Sequence, residues 1–109
     1  MDNQVEIAVA GLREAISDFL LPLQTVRVID RGAFRRLHGY AQELVRLLKE
    51  SESVSKSLLN ELFTVSIVTR AEAPYFKVER QELEGMATKI ELCFSLILTK
   101  SPSFRPFEI

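Results

Sequence analysis

Apolar residues recur along this chain at alternating steps of three and four. Val5, Val9, Leu12, Ile16 and Phe19 make the first such series, and Phe34, Leu37, Ala41, Leu44 and Leu48 the second. Leu58, Leu62, Val65 and Thr69 carry a broader version, and Leu83, Ala87, Ile90, Phe94 and Ile97 close the pattern. At about 3.6 residues per turn, this spacing gathers each series on one side of a helix. One-sided helices leave water only by facing one another. The pattern therefore predicts an all-α fold, a small up-and-down four-helix bundle.

Polar punctuation sets the expected ends, giving helices over residues 3–20, 31–50, 54–72 and 75–99. Asn3 and Glu6 read as a variant capping box. Pro22 disfavours helical geometry at Leu21 and so closes the first helix. Residues 21–29 are then expected to form an extended crossover, apolar enough at Leu23, Val26, Val28 and Ile29 to lie against the bundle. Asp30 suits the cap of the second helix, and Ser51, Ser53 and Ser55 supply a linker and a new cap. Ala73-Pro74 ends the third helix, and Pro74 fits the first turn of the fourth. Gly85 inside that helix marks an expected kink or close crossing. Ser101-Pro102 ends it, leaving an extended tail over 101–109 with Phe104, Phe107 and Ile109 as apolar anchors.

Two of these helices are too apolar for a four-helix monomer. Leu58, Leu59, Leu62, Phe63, Val65, Ile67 and Val68 cover most of a helical circumference, as do Leu92, Cys93, Phe94, Leu96, Ile97 and Leu98. A helix that is apolar all round is either central or covered by another chain. The expected partner surface therefore uses Phe63, Ile67, Leu92 and Leu96. Phe104 and Phe107 of the tail either seal the bundle end or dock on a partner.

Composition narrows the class further. Of the 109 residues, 47% are hydrophobic and 27% are charged. That balance makes one globular domain, 1–109. A net charge of −1 argues against binding polyanions over the whole surface. One cysteine makes no internal disulfide. The start lacks the basic residues and unbroken apolar stretch of a signal peptide. The longest apolar run, Leu92 to Leu98, is broken by Ser95. It falls far short of the ~20 residues that span a bilayer. The expectation is a cytoplasmic protein without membrane attachment.

The candidate chemistry is sparse. A lone His38 and a lone Cys93 supply no metal-ligand set, so neither a metal nor a cofactor is expected. Cys93 sits in an apolar run as an unreactive thiol. The four glycines are scattered, so no phosphate-cradling loop can be built. Arg27, Arg31, Arg35 and Arg36, opposed only by Asp30, form a local basic patch suited to phosphates or to acidic residues of a partner. Within it, Arg31-x6-His38 resembles the Arg-x4–6-His signature of the helical nuclease family HEPN, which implies RNA cleavage by Arg31 and His38. The chain departs from that signature by having Gly32 after the arginine and by placing the motif at the start of the second helix. Leu59 to Ser66 resembles a helix-turn-helix, but Asn60 and Thr64 replace its small packing residue and turn glycine. One uninterrupted helix reads the segment more simply.

The expected function is a non-enzymatic helical protein–protein interaction module, self-associating as a homodimer or masking a partner, in the manner of adaptor, inhibitor or immunity proteins. Nucleic acid is not the expected partner. The alternative is an RNA-binding or HEPN-like RNA-cleaving bundle using Arg31 and His38.

Overall fold

A computed structural model describes residues 3–99. They form four α-helices, α1 (Asn3–Thr25), α2 (Arg31–Leu48), α3 (Lys56–Glu72) and α4 (Arg80–Thr99), with a 3₁₀ turn at Ala73–Tyr75 between the last two. The fold is the all-α bundle that the apolar spacing predicts. The tail over 101–109, with Phe104 and Phe107, lies outside the described residues.

The seams of α2 and α3 match expectation residue for residue. Phe34, Leu37, Ala41, Leu44 and Leu48 are buried, as are Leu58, Leu62, Val65 and Thr69. In α1 the buried line is Ala8, Leu12, Ala15, Phe19 and Leu23, while Val5, Val9 and Ile16 flank it half-buried. Alanines on the inner line let α1 approach α2 closely. At Gly11 a Cβ would meet the Tyr40 ring. In α4, Cys93 takes the inner place expected of Phe94, which is half-buried.

Paired side chains give the direction of each helix. Phe19 meets Phe34, and Arg36 reaches Asp18, so α1 and α2 run antiparallel. Phe63 meets Phe94, and Arg70 binds Glu91 and Thr88, so α3 and α4 do likewise. Arg13 Nε donates to Glu61 at 3.0 Å and Arg27 to Glu72 at 3.1 Å, which sets α1 parallel to α3. Among the described residues α1 and α4 make no close backbone approach, nor do α2 and α3. The bundle is thus two antiparallel hairpins docked side by side. The link from α2 to α3 passes beneath the start of α1, where Ser53, Val54 and Ser55 border Val5 and Val9.

Four boundaries correct the sequence reading. First, α1 runs through Pro22 to Thr25, so the extended crossover over 21–29 shrinks to Val26–Asp30. Proline in a helix interior costs about 3 kcal/mol, but the carbonyl it leaves unpaired belongs to Asp18, on the exposed side. Continuing the helix places Leu23 fully in the core, one turn beyond Phe19. Burying a leucine returns about 1.5–3 kcal/mol. After Thr25 the carbonyl of Pro22 accepts from both the Val26 and Val28 amides, and Arg27 takes a left-handed φ of 56°. Second, α2 ends at Leu48 rather than at residue 50. Third, α3 starts at Lys56, behind Ser55, whose side chain accepts the Leu58 amide. Asp30 caps α2 as expected, accepting from Ala33 N at 2.9 Å.

Fourth, α4 starts at Arg80, not near residue 75. Pro74 sits in the 3₁₀ turn, and the chain then extends at Phe76 (φ −114°, ψ 112°) so that its ring enters the core. Gly85 marks no close crossing, because nothing lies within 4 Å of where its Cβ would stand. The helix-turn-helix resemblance ends here too, since Leu59 to Ser66 lies inside one unbroken α3.

One core residue is unsatisfied. The Thr69 hydroxyl, in a residue 1% exposed, has no hydrogen-bond partner among the described residues. Ser66, a turn earlier, donates to the Phe63 carbonyl at 2.7 Å. A buried unpaired hydroxyl costs about 1–3 kcal/mol. Thr69→Val is therefore expected to stabilise the protein by about 1–2 kcal/mol, raising the melting temperature by about 4 °C per kcal/mol. A calorimetric melt at or below the wild-type temperature would rule this out.

Candidate functional site

The four arginines that stand together in sequence do not act together in space. Arg27 donates to Glu72 at 3.1 Å and lays its guanidinium 3.9 Å from the Tyr75 ring centre. Arg36 reaches Asp18 at 3.3 Å. Arg31 closes a two-pronged pair with Glu82 of α4, Nε to Oε2 at 2.6 Å and Nη2 to Oε1 at 2.8 Å. The hydrogen bond to Glu82 raises the Arg31 pKa above its ordinary value, and the same bond lowers that of Glu82. Arg35 has no ion pair among the described residues. Sequence proximity makes these residues one patch, yet its paired members diverge to three different elements.

Arg31 and His38 stand seven positions apart on α2. That separation is a rise of about 10 Å along the helix. The guanidinium fork of Arg31 is occupied by Glu82. Joint contact of Arg31 and His38 with one phosphate would require that pair to open. His38 stacks on Phe34 with ring centres 5.8 Å apart. Burial, and then the nearby Lys89 ammonium, lower its pKa from the ordinary imidazole value, favouring the neutral ring. Burial likewise raises the Cys93 thiol, in keeping with an unreactive side chain. Among the described residues no group of three or more histidine, cysteine or carboxylate side chains could hold a metal ion. Nor is any described helix long and apolar enough to cross a membrane.

The four apolar anchors divide between two surfaces. Phe63 and Ile67, 49% and 51% exposed, look out from α3, and the Phe63 ring lies 5.8 Å from that of Phe94 on α4. Leu98, 38% exposed, belongs to the same side of α4 as Phe94, one helical turn further on. Leu92, 57% exposed, points the other way with half-buried Leu96, toward α2. There they border a furrow with His38, Gln42 and Val45.

The furrow follows the seam between parallel α2 and α4 and opens as two adjoining hollows of about 410 and 370 Å³ that share Lys89. The first is lined by Arg31, Phe34, Arg35, Glu82, Gly85 and Met86. Both have the size of ordinary ligand sites. Sequence reasoning missed Gly85 and Lys89 as neighbours of Arg35 and His38, because the two helices that bring them together lie far apart in the chain. The signal available in the sequence was a glycine inside a helix, which reads there as a kink or close crossing. Comparisons with protein-family models, curated proteins and solved structures give no match.

Proposed function

We propose that this protein is a non-enzymatic helical interaction module whose α3–α4 face is covered by another protein surface, either a second copy or a partner that it masks. The observation that carries this reading is the half-exposed pair Phe63 and Ile67, continuous with Phe94 and Leu98. Complete burial of a large apolar side chain is worth about 1.5–3 kcal/mol, so covering what these residues leave in water is a substantial driving force. Aromatic side chains, Phe among them, are also enriched in protein interfaces.

Light scattering at micromolar concentration, paired with pull-down of binding proteins, tests it. Wild type is expected to self-associate or to form a stoichiometric complex, and Phe63→Asp with Ile67→Asp to be a folded monomer that captures nothing. A strictly monomeric wild type without a partner would defeat the proposal.

A further inference from the structure

We infer that the furrow between α2 and α4 is a docking groove for an acidic amphipathic helix of a partner protein. This rests on the interaction-module reading above but concerns a different face of the bundle.

The shape comes first. The furrow follows α2 from Arg31 to Val45. That span is about 21 Å, the length of a partner helix of about 14 residues. Gly85 lowers one wall. A glycine inside a helix costs about 1 kcal/mol against alanine, and no neighbour within 4 Å requires its small size. Its effect is to leave room beside Phe34 and Met86.

The lining supplies the chemistry. The apolar floor is most exposed at one end, where Leu92 is 57% exposed beside half-buried Val45 and Leu96, while Phe34 and Met86 at the other end are buried. The anchors of a helix at steps of three, four and seven require such a floor. Between them stand cations. Arg31, Arg35 and Lys89 face two carboxylates, Glu82 and, beside Arg31, Glu79, which leaves a surplus of one positive charge on a chain whose net charge is −1. Arg35 and Lys89 make no ion pair among the described residues. Free cations beside an apolar floor attract carboxylates at the edge of an apolar helix face, which speeds association and selects against basic partners.

The same charges argue against other occupants. Two copies of a cationic furrow would repel one another. Single-stranded nucleic acid stacks its bases on exposed aromatic rings, whereas Phe34, the furrow's aromatic ring beside His38, is 5% exposed.

The test uses the full chain, isotope-labelled for amide NMR, and two synthetic helices of about 14 residues, lactam-bridged so that they are helical when free. Both carry the same leucine seam, flanked by glutamates in one and by lysines in the other. The acidic helix is expected to shift the amides of Arg35, His38, Lys89 and Leu92 and to bind at least about tenfold more tightly than the basic one. Arg35→Glu with Lys89→Glu should remove that preference. Gly85→Leu should block binding while a thermal melt shows the fold intact. Equal binding by the two helices, no binding by either, or shifts confined to Phe63 and Ile67 would each overturn the inference. So would an oligouridylate that moves Arg35 and Lys89 where the acidic helix does not. Association lost on Phe63→Asp with the furrow amides unmoved by the acidic helix would leave the broader reading standing and sink this one. A silent α3–α4 face with a responsive furrow would do the reverse.

Discussion

Phe19→Ala is expected to remove about 3–5 kcal/mol of stability, a large part of the roughly 5–15 kcal/mol that holds a domain of this size together. Phe19 is fully buried, and its ring lies 5.3 Å from Phe34 at a tilt of 57°. Tilted aromatic pairs add to the stabilisation that comes from the area they hide. Phe34 in turn stacks on His38 at the edge of the furrow. Truncation therefore opens a cavity between α1 and α2 and loosens the ring that forms the furrow floor. Urea titration should show a lower midpoint with an unchanged slope, the sign of altered stability rather than of altered unfolded-state compactness. A loss below about 1 kcal/mol would mean that α1 and α2 do not meet through this residue.

Phe76→Ala should cost about 3 kcal/mol, toward the lower end for a buried aromatic because the site borders solvent. Phe76 is 8% exposed and belongs to the core, yet it stands in the non-helical stretch between Tyr75 and Arg80. Its amide donates to the Ala73 carbonyl at 3.0 Å, and its extended backbone turns the ring inward. Ala73 and the Arg27–Tyr75 contact hold the start of the break, but Phe76 is the large apolar side chain that ties its end to the core. Amide exchange should then rise most in the first turn of α4, where Leu83 N donates to the Glu79 carbonyl at 2.9 Å. Exchange rising uniformly along the chain would contradict a local anchor.

The seams were legible because burial is periodic where a helix is regular. Phe34 to Leu48 and Leu58 to Thr69 keep the spacing without interruption, and every member of the two series is buried. Reading fails where tertiary packing overrides a local rule. Pro22 is a reliable stop by backbone sterics, but the chain beyond it has a core position for Leu23 that only continued helix can fill. Pro74 is a good first helical residue, but Phe76 needs an extended backbone to reach the core. Neither preference can be weighed from neighbours in sequence alone.

The candidate site was less legible still. Periodicity shows that Arg31 and Arg35 share a helical face, but it does not show that Glu82 waits across the gap for one of them. It likewise groups Phe63 and Ile67 with Leu92 and Leu96 as one interface, because all four exceed what a core needs. Their division between two faces depends on how α4 is rolled between α2 and α3, with Phe94 toward one and Leu92 toward the other.

The way the helices pair has a kinetic consequence. The most extensive pairings join α1 to its successor α2 and α3 to its successor α4, and each is closed by a short link. Most of the apolar surface is thus hidden by segments that are near one another along the polypeptide, so the search for the native arrangement closes few long loops. Such a chain should fold in microseconds to milliseconds.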